Sequence, residues 1–298
     1  MTGRDSLRAL GVAIVWGINF AVIGKGLEDL PPLLFVALRF LLTAFPVIFV
    51  VQRPGTRWIW VVLVALFMNI GQFGLLFVAI ERGAPAGLAS LVLQSQAVFT
   101  LIFASVVLQE LPRPAQVGGT VIASCGIAVL ALGHGAAAPI LPLFMVVGAG
   151  AVWGAGNICI RLARAKSPMG LIVWAALVAS LPLFLLSLWL EGPQADLHAI
   201  QHVWPNGLLS LTYVVLGAIL FGFGTWSSLL RRYRAPAVAP FSLMVPIFGV
   251  LSAWIILGEV PTVIEIVGAV IVLTGLALVT GLARGALLAA TRRLRPAV

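Results

Sequence analysis

Ten apolar stretches limit what this chain can fold into more than any other feature of its sequence. Roughly 17 to 25 apolar residues in a helix cross the hydrocarbon layer of a membrane. The stretches lie near this length, which is about twice what a barrel strand needs, and they lack the alternation of apolar and polar residues of such a strand. The ten segments, numbered in chain order, cover residues 8–25, 31–51, 58–80, 86–108, 115–132, 141–162, 169–190, 206–230, 236–257 and 262–283.

The composition favours a membrane protein over a soluble one. Of the 298 residues, 61% are hydrophobic and only 9% are charged, whereas soluble domains carry about 25% charged residues. Cys125 and Cys159 both lie inside apolar segments, so a disulfide framework is not expected. The sequence therefore predicts an all-α membrane protein.

The distribution of Lys and Arg predicts the orientation of the segments. If the amino terminus is cytoplasmic, the outer loops hold only Lys25 and Arg82, and both termini are cytoplasmic by the positive-inside rule. The net charge of +9 then reflects topology and attraction to anionic membrane lipids, and no nucleic-acid partner is expected. The predicted inner cations are Arg4, Arg8, Arg53, Arg57, Arg113, Arg161, Arg164, Lys166, Arg231, Arg232, Arg234, Arg284, Arg292, Arg293 and Arg295. The predicted outer acids are Glu28, Asp29, Glu81, Glu191, Asp196, Glu259 and Glu265.

A repeated pattern divides the chain into two halves. The sequence LQELP around Glu110 returns as LGEVP around Glu259, and the entry APA at residues 84–86 returns at 235–237. Because each half contains five segments, an odd number, the second half must be inverted in the membrane relative to the first. The predicted units are residues 1–134, residues 140–285 and a basic cytoplasmic tail, 286–298. Inverted repeats are a common plan of secondary transporters.

Several short motifs, in their order and spacing, resemble one transporter family. They are VWGINF at residues 15–20, ALRF at 37–40, APAGLASLVLQSQAVFT at 84–100, APAVAPFSLMVPIFGVLSAWIILGE at 235–259 and the paired glycines 268 and 275. Together they resemble the EamA-type exporters of the drug/metabolite transporter superfamily. The paired glutamines of segment 4 are most similar to exporters of O-acetylserine and cysteine, and the architecture is also similar to YddG-type exporters of aromatic amino acids. The resemblance implies ten helices, as two five-helix inverted repeats around a central cavity, and amino acids or their derivatives as substrates.

Polar side chains inside the segments are candidates for binding a substrate. An unpaired polar group in hydrocarbon costs several kcal/mol, so these groups should face a cavity or another helix. Interhelical hydrogen bonding is the alternative for each of them. Gln94 and Gln96 are two residues apart, so at most one should line a cavity, whereas Asn69, Gln72 and Phe73 share one helical face. The polar side chains predicted to bind substrate are Asn19, Asn69, Gln72, Gln94, Gln96, Asn157, Tyr213 and Ser242. Ser90 in segment 4 and Thr225 in segment 8 are further polar candidates for a cavity or a helix contact.

Three tryptophans, one arginine and three prolines complete the candidates. Trp16, Trp153 and Trp226 lie deep enough to form the wall of a cavity. Arg39 lies well within segment 2, where its guanidinium could attract a substrate carboxylate, bond backbone carbonyls or extend towards Glu28 or Asp29; the structural roles are favoured. The bend points expected from proline are Pro46, Pro182 and Pro246.

These features predict an exporter of amino acids and related metabolites that works by alternating access. No carboxylate lies in the middle of a segment, so transport is expected to be facilitative or weakly coupled. Export of drugs or other small amphipathic metabolites is the alternative, and an intramembrane lipid-handling protein is a weaker one. We expect no enzyme activity, no cofactor and no metal, with a small-molecule substrate and membrane lipids as partners. A monomer in the bacterial inner membrane is sufficient for this function.

Overall fold

The fold is helical throughout the part of the chain that the structure describes. The computed structural model describes residues 1–45, 47–133, 140–202, 205–233 and 235–279. Within these ranges nine helices are long and apolar enough to cross a membrane, and a shorter apolar helix, Val263–Val279, occupies segment 10. Pro46, Arg234, the end of segment 10 and the basic tail lie outside the described residues.

Each predicted segment contains helix, and the segment numbers are kept for the helices. Segments 1, 2, 5, 6, 7 and 10 contain the helices Gly3–Gly26, Pro32–Ala44, Pro114–Gly133, Ile140–Ala163, Pro168–Leu190 and Val263–Val279. Segment 3 is Trp58–Val64, a π-helix Ala65–Gly71 and Gln72–Glu81, and segment 8 is Asn206–Thr212, a π-helix Tyr213–Phe223 and Gly224–Arg232. Segment 4 is Ala86–Val92 and Ser95–Val107, and segment 9 is Ala235–Ser242, Val245–Ser252 and a π-helix Ala253–Leu257. A 3₁₀ turn, Val47–Phe49, and a short helix, Pro193–Gln201, complete the order.

The predicted bend points behave differently from one another. Pro246 follows the break in segment 9, because it lacks the N–H that would bond the carbonyl of Ser242 and continue the helix. Pro182, in contrast, lies inside a continuous helix. Segment 4 breaks at Leu93 and Gln94 without a proline, and there the N–H groups of Gln94 and Gln96 bond carbonyls three residues back.

Some helices begin at caps that their own sequence supplies. The Thr2 hydroxyl accepts the backbone N–H of Asp5 at the start of segment 1, and Ser167 accepts the N–H of Gly170 at the start of segment 7. Thr262 and Glu265 form a reciprocal capping box before segment 10. These caps satisfy N–H groups that have no partner within the helix.

Segments 2, 4 and 8 begin after prolines that offer no side-chain cap. A carboxylate from the other half of the chain supplies each missing cap. Glu191 accepts the backbone N–H groups of Leu33 and Leu34 at 2.8 and 3.2 Å, and Asp29 accepts the N–H of Gly207 at 2.7 Å. Glu259 caps segment 4 in the same way. The predicted outer face is therefore joined by bonds that run between the halves.

Helices of the two halves interlock in matched pairs. Segment 1 packs on segments 8 and 9, segment 6 packs on segments 3 and 4, segment 2 packs on segment 7, and segment 5 packs on segment 10. Small residues allow the closest of these contacts. A Cβ added to Gly119 would lie 2.6 Å from the carbonyl oxygen of Gly275, and one added to Gly268 would lie 2.6 Å from Leu130. Glycine at these positions lets segments 5 and 10 approach backbone to backbone.

The contact between segments 5 and 10 can be tested at two adjacent glycines. Gly119→Leu should destabilise the protein by about 1–3 kcal/mol, because the added side chain overlaps the backbone of segment 10. Gly118→Leu is the matched control, since nothing lies within 4 Å of a Cβ at that exposed position. Thermal melting in detergent should show a lower melting temperature for the first variant only. Equal melting temperatures would contradict the contact.

Candidate transport site

Three of the predicted site residues form a cluster between segments 1 and 8. The Trp16 indole N–H donates to the carbonyl oxygen of Ala218 at 2.8 Å, and its ring centroid lies 5.3 Å from that of Trp226. The Tyr213 hydroxyl donates to the carbonyl oxygen of Val15 at 2.9 Å. Trp16, Tyr213 and Trp226 thus bind segment 1 of the first half to segment 8 of the second.

Part of this cluster lies in the π-helical stretch of segment 8. Tyr213 and Ala218 lie within it, and its wider turns close i to i+5 hydrogen bonds rather than i to i+4 bonds. Segment 3 contains the corresponding π-helix Ala65–Gly71, and the N–H of Gln72 bonds the carbonyl of Phe67 at its end. Such turns occur frequently at functional sites. They also change the helical spacing from which Asn69, Gln72 and Phe73 were expected to share a face.

Two further predicted residues meet between segments 4 and 6. The Asn157 amide donates to the Thr100 hydroxyl at 3.0 Å and to the Gln96 side-chain oxygen at 3.4 Å. Close packing supports the contact, because a Cβ on Gly154 would lie 2.9 Å from Phe99. Thr100 was not among the predicted site residues, although it lies four residues after Gln96 and hence on the same helical face.

Three buried amides are placed differently. Asn19, Asn69 and Gln72 are 9%, 8% and 1% exposed. The side-chain oxygens of Asn19 and Gln72 have no hydrogen-bond partner among the described residues. Because an unsatisfied buried polar group costs about 1–3 kcal/mol, these oxygens favour a donor from outside the described chain.

The remaining candidates lie apart from these groups along segments 4, 6 and 9. Gln94 lies at the break in segment 4, and Ser242 ends the first helix of segment 9. Trp153 lies on segment 6, partly buried against the apolar core. The structure therefore gathers five predicted residues into two clusters and distributes the other six along segments 1, 3, 4, 6 and 9.

Small polar residues, among them the polar candidate Ser90, meet at the crossing of segments 1, 4 and 9. The Ser90 hydroxyl donates to the carbonyl of Gly87 at 2.6 Å and lies 3.4 Å from the carbonyl oxygen of Pro246. The Ser252 hydroxyl lies 3.4 Å from the carbonyl oxygen of Gly17. Serines and glycines are weak signals in a single sequence, because they also occur in loops and ordinary helix contacts.

The two repeat-related glutamates have different partners. The Glu259 carboxylate accepts the backbone N–H groups of Ala86 and Gly87, both at 2.9 Å. Glu110 instead forms an ion pair with Arg161, with nitrogen to oxygen distances of 2.5 and 3.0 Å. The hydrogen bond from Arg161 holds the pKa of the Glu110 carboxyl below its usual range. The pair therefore forms at neutral pH and is lost only as the pH falls through that lowered pKa.

Two cavities lie at the ends of the helices rather than among the predicted site residues. One, of about 660 Å³, is lined at the predicted outer face by residues that include Glu28, Asp29 and Glu191. The other, of about 320 Å³, is lined by Asp5, Thr225 and other residues near the opposite ends. Neither includes one of the eleven predicted substrate-binding residues.

Comparisons with known proteins agree on a family. The model of the EamA-like transporter family matches residues 6–132 and 140–281. A protein of Salmonella typhimurium (strain LT2), named "Probable amino-acid metabolite efflux pump", is 41% identical over 93% of this chain and 94% of its own. The protein of the same name from Escherichia coli (strain K12) is 39% identical over the same shares. A solved crystal structure has a TM-score of 0.63 at 21% identity and covers 95% of this chain and 99% of its own, so it shares the fold.

The family and the helices also fix the location of the protein. Relatives in the bacteria named above and nine helices that can cross a membrane make it a multi-pass protein of the bacterial inner membrane. Its resemblance to the EamA-type exporters, expected from the motifs of segments 1, 2, 4, 9 and 10, is confirmed by the family match over both halves. The chain belongs to the EamA-like transporter family.

Proposed function

We propose that this protein exports amino acids and related metabolites across the inner membrane by alternating access. The observation that carries the proposal is the 41% identity, over 93% of the chain, to a protein named as an amino-acid metabolite efflux pump. The family is one of transporters, which argues against an enzyme. Export of drugs or other small amphipathic metabolites is the alternative, because the helices are mostly apolar along their whole length.

The proposed architecture is a pair of inverted five-helix repeats, residues 1–134 and 140–285, with both termini cytoplasmic. The helix contacts support it, since segment 1 packs on segments 8 and 9 while its repeat partner, segment 6, packs on segments 3 and 4. Segments 2 and 7, and segments 5 and 10, are also repeat partners in contact. Such an exchange of first helices lets two similar halves rock against each other around a site between them. One chain contains all of these contacts, so a monomer is sufficient.

The substrate path in this proposal runs between the two polar clusters. Trp16, Tyr213 and Trp226 supply an aromatic wall on one side, and Gln96 and Asn157 supply amides on the other. Segments 3 and 8, with their π-helical turns, complete the lining. Because the segments hold no carboxylate in their middle, the transport cycle does not need a buried proton carrier and is facilitative or weakly coupled.

The two glutamates support a conformation in which the predicted outer end is closed. Glu259 ties the loop after segment 9 to the first turn of segment 4. By the repeat, the counterparts of Ala86 and Gly87 are Ala237 and Val238, at the start of segment 9, and Glu110 is the counterpart of the capping Glu259. In this structure Glu110 is held by Arg161 instead. We propose that the opposite conformation forms the inner cap and releases the outer one.

Exchange in proteoliposomes tests the function. Liposomes containing only this protein should exchange internal unlabelled amino acids for external labelled ones, saturably and with little effect of a pH gradient. Asn157→Ala should slow the exchange about threefold to thirtyfold, because it removes the amide contact between segments 4 and 6, worth about 0.6 to 2 kcal/mol. The control is Thr274→Ala, at an exposed hydroxyl that donates to the Val270 carbonyl of its own helix.

Three outcomes would contradict the proposed function. No saturable exchange with any of the twenty amino acids would exclude the substrate class. Uptake that neither saturates nor shows counterflow would indicate a channel. Equal exchange rates of the Asn157 and Thr274 variants would show that Gln96 and Asn157 do not line the substrate path.

Cysteine labelling tests the outer cap. Ser90 is fully buried at the crossing of segments 4 and 9, so Ser90→Cys should react with an impermeant maleimide only when the outer end opens. With Cys125 and Cys159 replaced by serine, Glu259→Gln should raise the labelling rate severalfold, because the neutral amide cannot accept both N–H groups. Glu265→Gln is the matched control, since glutamine keeps the capping box of segment 10. Equal labelling rates in the two glutamate variants would contradict a cap that closes the outer end.

A further inference from the structure

Arg39 is a buried cation whose hydrogen-bonding groups are incompletely used. The residue is 3% exposed, and its Nε and Nη1 nitrogens have no hydrogen-bond partner among the described residues. The guanidinium carbon lies 3.8 Å from the ring centroid of Phe73, and 5.4 and 6.0 Å from those of Phe40 and Phe77. The side chain therefore lies in an aromatic box formed by segments 2 and 3.

The aromatic rings do not replace the missing hydrogen-bond acceptors. A cation–π contact engages the face of the guanidinium, whereas its N–H groups point outwards in the plane of the group. A buried charge without acceptors is strongly destabilising, and removing the partner of a buried ion pair costs far more than losing an exposed one. The box thus orients Arg39 but leaves its donors free for an acceptor.

The carboxylates that were expected as structural partners are engaged elsewhere. Glu28 accepts the side-chain amide of Asn206 at 3.0 Å, and Asp29 accepts the backbone N–H of Gly207 at 2.7 Å. Arg39 has not extended towards either of them in this structure. An acceptor for its two free nitrogens must therefore come from a group other than these carboxylates.

We propose that Arg39 binds the carboxylate of the transported substrate. The inference rests on the proposed function and adds the chemical group that the protein recognises. A planar guanidinium matches the two oxygens of a carboxylate better than any other cationic side chain does. The Phe73 ring beside Arg39 is only partly buried, so it also gives the apolar part of a substrate a surface to contact.

A second unpartnered group narrows the ligand class to zwitterions. Gln72 precedes Phe73 in segment 3, is 1% exposed, and its side-chain oxygen lacks a donor among the described residues. An α-amino acid carries both a carboxylate, which needs donors, and an ammonium group, which needs acceptors. Arg39 supplies unpartnered donors for the carboxylate, and Gln72 supplies an unpartnered acceptor for the ammonium group.

The test compares an amino acid with analogues that lack its carboxylate. A panel of labelled cysteine, serine, methionine and phenylalanine identifies one that exchanges in proteoliposomes of the intact protein. Its amide and its decarboxylated amine then compete with it. The wild type should prefer the acid over both analogues by about tenfold to a hundredfold, the range expected for hydrogen bonds to a charged group.

Substitution of Arg39 should remove this preference. Arg39→Gln should reduce the preference for the acid to within about threefold, while exchange of the amide continues. Arg39→Lys should give an intermediate preference, because it keeps the charge and loses the planar fork. Arg82→Gln, which removes an exposed cation at the predicted outer face, should change nothing. An unchanged preference in folded Arg39→Gln, verified by its melting temperature, would overturn the proposal.

Two complications are resolved by the same set of proteins. If Arg39→Gln does not fold, the Arg39→Lys protein decides, and a preference equal to that of the wild type overturns the proposal. If the wild type exchanges none of the twenty amino acids, the proposed function fails, and thermal stabilisation by acetate and benzoate tests Arg39 alone. Greater protection of the wild type than of Arg39→Lys supports a carboxylate site, and equal or absent protection overturns it.

Discussion

Carboxylates that cap helix ends across the two halves are the interaction on which the predicted outer face depends. Helices that begin there after a proline cannot satisfy their first N–H groups themselves, and near hydrocarbon water cannot do so at low cost. Glu191, Asp29 and Glu259 supply the missing acceptors and also oppose the positive end of each helix dipole. A bond of this kind holds while its helix stays in place and is lost when the helix moves away. For this reason we propose that capping and gating are linked.

In the interior, some polar side chains have hydrogen-bond partners and others do not. Between segments 1 and 8, Trp16 and Tyr213 donate to backbone carbonyls of the facing helix, and between segments 4 and 6 Asn157 donates to the Thr100 hydroxyl. On segments 2 and 3, Arg39 and Gln72 keep unpartnered atoms in a buried setting. This arrangement suits a transporter, because the hydrogen-bonded side chains hold the helices together and the unpartnered ones are available to bind a substrate. The free energy of hydrogen bonding to Arg39 and Gln72 is then available for binding the substrate.

Hydropathy predicted the apolar helices, nine of which are long enough to cross a membrane within the described residues, because a membrane helix must satisfy its backbone hydrogen bonds internally. Proline chemistry predicted the bend at Pro246, where a backbone donor is missing. Hydropathy could not predict the π-helices of segments 3 and 8, because a π-helix and an α-helix in a membrane are equally apolar and differ only in the number of residues per turn. The hydrogen-bond partners of Trp16 and Asn157 could not be predicted from hydropathy either. Ala218 offers only a backbone carbonyl, and Thr100 lies on a different helix from Asn157, so both contacts depend on how the helices pack.

The central claim is that two inverted halves open one end of the protein as they close the other. Spin labels at Arg82 and Val260 report the width of the predicted outer end, and labels at Leu111 and Arg232 report the opposite end. Pulsed electron-spin distance measurements, with and without an exchanged amino acid, test the claim directly. We expect one distance to lengthen as the other shortens, with Glu259→Gln favouring the wider outer end. Two distances that change together, or that stay fixed during active exchange, would contradict alternating access.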